Sequence, residues 1–129
     1  LCSAIAEKFE AIVSLAYDNS RFKDYYDIHV LAMTHDFSGD ELSSAIQETF
    51  NHRKTSISRI VAFDDGFAND PLRQSRWNSF VKKKKALLPV SLEDTIRVIQ
   101  QFLCPVADSI VRNEIFSGKW SHAEQSWVE

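Results

Sequence analysis

Ser20-Arg21-Phe22-Lys23-Asp24-Tyr25-Tyr26-Asp27-Ile28 is the stretch on which the reading of this chain turns. Residues three and four apart share one face of a helix, so Arg21, Asp24, Asp27, Ile28 and Leu31 align along one side. Two carboxylates and a guanidinium thus sit in an otherwise apolar stripe. The preceding segment carries the mirror anomaly, because Ile5, Lys8, Phe9, Ile12, Leu15 and Ala16 keep the i, i+3, i+4, i+7 spacing and place one ammonium group inward. Opposite charges therefore face one core from two helices. A buried lone charge is costly and persists only when paired, hydrogen-bonded or committed to a ligand. Spacing leaves two readings open: an ion pair of Lys8 with Asp24 or Asp27 that braces the helices, or a site.

Working outward, the first helix is expected from Ser3 to about Tyr17, with Asp18-Asn19-Ser20 ending it and capping the second. The second runs from about Arg21 to Thr34. Tyr26, Val30 and Met33 make its other side apolar, so it should be the most buried element. Ser38 and Glu41 form a capping box ahead of Leu42, Ala45, Ile46, Thr49 and Phe50, which sets a third helix at Gly39 to Arg53. The β-branched residues between Lys54 and Ala62 fit a short strand or a loop. Asp70-Pro71 is an N-cap followed by proline at the first helical position, opening a fourth helix with Leu72, Trp77, Phe80 and Val81 inward. After Pro89-Val90, Ser91 with Asp94 caps a fifth helix whose stripe is Leu92, Ile96, Ile99, Leu103 and Val106. Pro105 is expected to kink or divide it near Gln101. Beyond Arg112 the pattern fades into an irregular tail whose Trp120 and Trp127 dock on the body. The fold class expected is all-α, one bundle of five to six helices.

Composition narrows the chemistry. A length of 129 residues suits one domain, and a net charge of −3 excludes a uniformly basic nucleic-acid binder. That total hides six basic residues and no acid between Arg73 and Lys85. There are only three glycines, against about nine at average usage, so no glycine-rich phosphate cradle exists and phosphate contacts fall to side chains or helix N-termini. Cys2 and Cys104 are far apart and are expected reduced. His29, His35, His52 and His122 have no metal-ligand spacing, so no metal is expected on them. No serine sits in a nucleophile elbow. No run is apolar enough to span a bilayer and no signal segment is present, which points to the cytoplasm. The sequence begins on Leu1, with the first apolar stripe close behind and no capping box, and is expected to belong to a longer gene product.

With Ala4-Ile5-Ala6-Glu7-Lys8-Phe9-Glu10-Ala11 followed by Asn19-Ser20-Arg21-Phe22-Lys23-Asp24-Tyr25-Tyr26-Asp27, the chain resembles the AbiEii/AbiGii abortive-infection toxin family of nucleotidyltransferases. In that family an EK helix precedes an SRxKDxxD helix in the second half of the enzyme. The weaker run from Phe67-Ala68 through Asp70, Gln74, Trp77 and Phe80 is similar to its helical C-terminal region. The resemblance covers about Ala4 to Phe80. It departs at one point: no Gly-Gly or Gly-Ser turn followed by an Asp-x-Asp strand is present, so the metal-holding half is missing. The resemblance implies the C-terminal helical part of a bacterial enzyme that transfers nucleotides from a nucleoside triphosphate to RNA, with Mg2+ and nucleotide used by the full-length protein and neither held by this chain alone. It further implies a cognate antitoxin.

By the same resemblance Lys8, Asp24 and Asp27 are catalytic. Lys8 contacts the triphosphate, Arg21 and Lys23 add charge near phosphate or acceptor, and Asp24 orients a catalytic group or assists the acceptor hydroxyl. Asp27 is the second choice for that acidic role, or the partner of Arg21 or Lys23. On helix four, Arg73, Arg76 and Lys82 to Lys85, Lys83 among them, are candidate contacts to an RNA backbone. The competing reading there is a solvated lysine-rich end favoured by the helix dipole. Trp77 reads as core. The alternative for the whole chain is a non-enzymatic helical interaction module in which Lys8, Asp24 and Asp27 are structural.

Overall fold

The computed structural model describes residues 1–15, 22–57, 60, 63–64, 66–84 and 91–129. Among them five helices run in the order α1 (Cys2–Ser14), α2 (Phe22–Thr34), α3 (Gly39–Arg53), α4 (Pro71–Lys83) and α5 (Leu92–Val111). Three short strands accompany them: β1 (Phe37–Ser38) precedes α3, and β2 (Lys119–Ser121) and β3 (Ser126–Val128) follow α5. The protein is a helical bundle with a small antiparallel sheet of order β1-β2-β3 at one end. No helix of the described residues is long and apolar enough to cross a membrane.

Local chemistry sets three helix starts. Ser38 Oγ accepts from Glu41 N, Asp70 Oδ2 from Arg73 N (2.8 Å) and Ser91 Oγ from Asp94 N (3.1 Å), each satisfying a donor with no intrahelical partner. α3 has the bounds expected for it. α1 packs chiefly on α3, and α2 lies between α1 and α5. Ile5, Phe9, Ile12, Ile28, Leu42, Ile46, Ile99, Phe102 and Leu103 are wholly buried between them. Seven of the 13 residues of α2 are buried and ten of the 20 of α5, so α2 is the most buried helix by share, as expected, with α5 close behind. His29 of α2 and Thr95 of α5, both buried, join their side chains at 3.0 Å. Burial lowers the His29 pKa below the ordinary histidine value. Cys2 and Cys104 are free thiols.

Several expectations need correction. α1 ends at Ser14, so Leu15 becomes its exposed C-cap rather than an inward position. The expected residues Ala16 and Tyr17 and the Asp18-Asn19-Ser20 cap lie outside the described residues. Leu72 is exposed, and Phe67 from the loop before α4 supplies an apolar contact instead, its ring stacked on Tyr25 at 6.1 Å. Trp77 is wholly buried, edge-on to Phe22. Pro105 does not divide α5, which runs unbroken from Leu92 to Val111. Its missing N–H leaves the Gln101 carbonyl without a donor, but buried residues on both sides, Phe102, Leu103, Val106 and Ala107, hold the helix to the core. Of the segment between Lys54 and Ala62, residues 54–57 take the loop reading rather than the strand, and residues 58–59 and 61–62 lie outside the described residues.

The tail is not irregular. After Arg112 the chain returns as the β2–β3 hairpin, pairing Trp120 with Trp127, while Phe37 of β1 pairs with Trp120. The sheet closes onto the start of α3, where Gly39 N donates to Gly118 O at 2.7 Å. A Cβ at Gly39 would stand 2.6 Å from that carbonyl oxygen and 2.5 Å from Phe116 Cδ2. Alanine is the better helix former by about 1 kcal/mol, yet a backbone carbonyl cannot turn aside, so the clash wins. Gly39→Ala is expected to lower stability by about 1–3 kcal/mol, read as an earlier thermal transition.

Candidate functional site

α1 and α2 run side by side and bring their charged residues to one place. Lys8 Nζ donates to Asp27 Oδ2 at 3.0 Å and stands 3.9 Å from Asp24 Oδ1. One turn back on α2, Lys23 Nζ donates to the same Asp27 oxygen at 2.7 Å. Lys84, the C-cap of α4, stands 4.0 Å from Asp27 Oδ1 and over the Tyr26 ring. Asp27 is therefore the hub of three ammonium groups. Burial pushes its carboxyl upward, but the hydrogen bonds and charges of Lys23 and Lys8 outweigh that and hold it below the ordinary carboxylate value. The hydrogen bond from Lys23 to Asp27 in turn raises the Lys23 pKa.

Lys8 and Asp24 also line an open groove of about 720 Å³. Its other wall is built by residues that periodicity did not single out. Glu10 is buried on α1, accepts from Thr55 Oγ1 at 2.7 Å, and lies 3.7 Å from Arg53 Nε. Arg53 Nη2 reaches Glu7 at 2.7 Å. The turn that delivers Thr55 is local: Lys54 adopts the left-handed conformation (φ 57°) and Thr55 N donates to Phe50 O. The groove is thus lined by three acids, Glu7, Glu10 and Asp24, and two bases, Lys8 and Arg53. Asp27 touches Lys8 without itself lining it.

Other expected site residues are placed unevenly. Arg21 lies outside the described residues, as does Lys85. Arg76, Lys82 and Lys83 are exposed on α4. Arg73 does not share that face freely. Its side chain is only 14% exposed, lies over the Phe67 ring at 4.1 Å and donates to Phe67 O at 3.0 Å, so it holds the loop before α4.

The acids do not make a divalent-cation site. Lys8 and Lys23 hydrogen-bond one oxygen of Asp27, and among the described residues no three histidine, cysteine or acidic side chains gather as metal ligands. What the cluster offers is positive charge at the rim of a groove, together with a shielded carboxylate. That combination suits phosphate handling.

The chain belongs to the AbiEii family, the nucleotidyl transferase toxins of type IV toxin–antitoxin systems, whose family model matches residues 1–102. The match takes in α1 to α4 and α5 as far as Phe102, beyond the span over which the sequence motifs carry the resemblance. The β2–β3 hairpin falls outside it. Neither a curated protein nor a solved structure matches the chain.

Proposed function

We propose that these residues are the C-terminal helical part of a nucleotidyltransferase toxin that moves a nucleotide from a nucleoside triphosphate onto an RNA acceptor. The observation that carries the reading is the approach of Lys8 to both carboxylates at the edge of the groove, where a structural brace would be sealed on all sides. In the reaction an acceptor hydroxyl oxygen bonds to the α-phosphorus, the bond to the β-phosphate oxygen breaks, and pyrophosphate leaves. Such chemistry is governed by position and by charge on the transferring group. Lys8 neutralises phosphate oxygens, and Lys23 adds charge beside it. Asp24 accepts the hydrogen of the acceptor hydroxyl or orients the group that does. Asp27 keeps the ammonium groups in register.

Mg2+, which this chemistry uses, is not assigned to these residues, since Asp27 is committed to Lys8 and Lys23 and Asp24 to the acceptor hydroxyl. The exposed cations of α4, Arg76, Lys82 and Lys83, are suited to sequence-independent contact with an RNA backbone. A type IV toxin implies an antitoxin as partner in a bacterial cytoplasm.

The test is direct. Purified residues 1–129, given RNA, labelled nucleoside triphosphates and Mg2+, are expected to label nothing, whereas the complete gene product is expected to extend the RNA. Labelling by residues 1–129 alone, or a complete product that binds no nucleotide, would overturn the proposal.

A further inference from the structure

Asp27 presents an imbalance of charge that the brace between α1 and α2 does not require. Two cations, Lys8 at 3.0 Å and Lys23 at 2.7 Å, already hydrogen-bond one of its oxygens. Lys84 arrives from a helix far along the chain and stops at 4.0 Å, inside Coulomb range but beyond a hydrogen bond. The aromatic faces of Tyr26 and Phe80, with centroids 5.0 and 6.0 Å away, hold its ammonium there. Its neighbours Lys82 and Lys83 make no ion pair among the described residues, so this position is a property of residue 84 and not of the lysine run. Counting the pairs, three ammonium groups face the two carboxylates of Asp24 and Asp27. Lys84 therefore keeps its donors for something else, and its side chain is 35% exposed.

We infer that Lys84 is a third phosphate-binding ammonium of this site, closing with Lys8 and Lys23 an oligophosphate clasp whose counter-ion in the empty state is the Asp27 carboxylate. An oligophosphate carries several negative charges, whereas one carboxylate balances only one of the three cations. Lysine serves phosphate as a point charge and needs no fixed fork, which suits a group held by two rings and free to turn. The inference rests on the reading that Lys8 faces the phosphates of a nucleotide, and it adds the residue from α4 that joins that site to the basic helix face.

Titration calorimetry with the tripolyphosphate anion tests it on residues 1–129. Lys84→Met keeps an unbranched aliphatic side chain and removes the charge, and loss of one charge-assisted contact is expected to weaken binding about tenfold. Lys84→Arg is expected to stay within about threefold of the parent and Lys83→Met within about twofold, with all melting curves superimposed. Equal effects of Lys84→Met and Lys83→Met would reduce Lys84 to general surface charge and overturn the inference while leaving the proposed function standing. The same holds if Lys84→Met weakens binding of an RNA strand and not of tripolyphosphate. A parent chain that takes up no tripolyphosphate would remove the phosphate site at Lys8, and the inference with it.

Discussion

Asp24→Asn in the complete gene product is expected to slow nucleotide transfer by about 10²–10³-fold, the loss typical of one preorganised polar group at a reacting centre, with the fold intact. The two halves of this expectation separate an enzyme from a braced scaffold. Were Asp24 only a structural anion, its removal would leave a buried ammonium unpaired, a change that costs about 3–5 kcal/mol. The geometry argues against so large a penalty. Lys8 holds its hydrogen bond to Asp27 at 3.0 Å whatever stands at residue 24, and the Asp24 contact at 3.9 Å is the longer of the two. The Lys8 side chain is also 24% exposed, so water shares the load. For a buried polar group whose partners change, a stability change of about 1–3 kcal/mol is expected, together with near-complete loss of transfer. A melting transition that falls by many degrees, with activity scaled down only to the unfolded fraction, would favour the interaction module. Lys8→Met provides the complementary measurement, since it spares Asp27 its other two cations and removes the one that lines the groove.

How much of this was legible in sequence follows the range of the interactions involved. Caps are local. Ser38, Asp70 and Ser91 each bond a backbone N–H three residues ahead, so the starts of α3, α4 and α5 could be read from residue types alone. Lys8 and Asp27 were also visible, because a charge in an apolar stripe is a conflict that only a partner resolves. Glu10 was invisible, for its burial depends on the end of α3 being laid against α1, with Thr55 arriving from 45 residues away. Lys84 reads as one of a run of four lysines and acquires meaning only from the Tyr26 and Phe80 rings beneath it. The hairpin escaped for a related reason. Strands of two and three residues are too short to show alternation, and β1 meets its partner across most of the chain. Pro105 does not divide α5, because buried residues on both sides of the proline hold the helix to the core, which the local rule for an isolated helix leaves out.

The largest effect on stability is expected at Trp120, in the part of the molecule that sequence described least well. Its side chain is wholly buried among Phe37, Phe102 and Trp127, with ring centroids 4.9 Å from Phe102 and 5.6 Å from Trp127. Its indole N–H donates to Ala32 O at 2.7 Å. Ala32 lies in the last turn of α2, where backbone carbonyls lack an intrahelical donor. Trp120 thus fills volume and caps a helix at once. Trp120→Ala is expected to cost about 3–5 kcal/mol, which for a domain of this size lowers the midpoint of thermal unfolding by about 10–20 °C. Trp120→Phe keeps most of the volume and loses only the donor, so about 1–2 kcal/mol is expected. The contrast between the two variants separates packing from capping. Ala32 and Asp24 lie about 12 Å apart along α2 at 1.5 Å per residue, so Trp120→Phe, measured below its transition, should leave tripolyphosphate binding unchanged. If it instead weakened binding as strongly as Lys84→Met, the hairpin would have to be counted as part of the site, and the division drawn between the clasp at one end of α2 and the sheet at the other would be wrong.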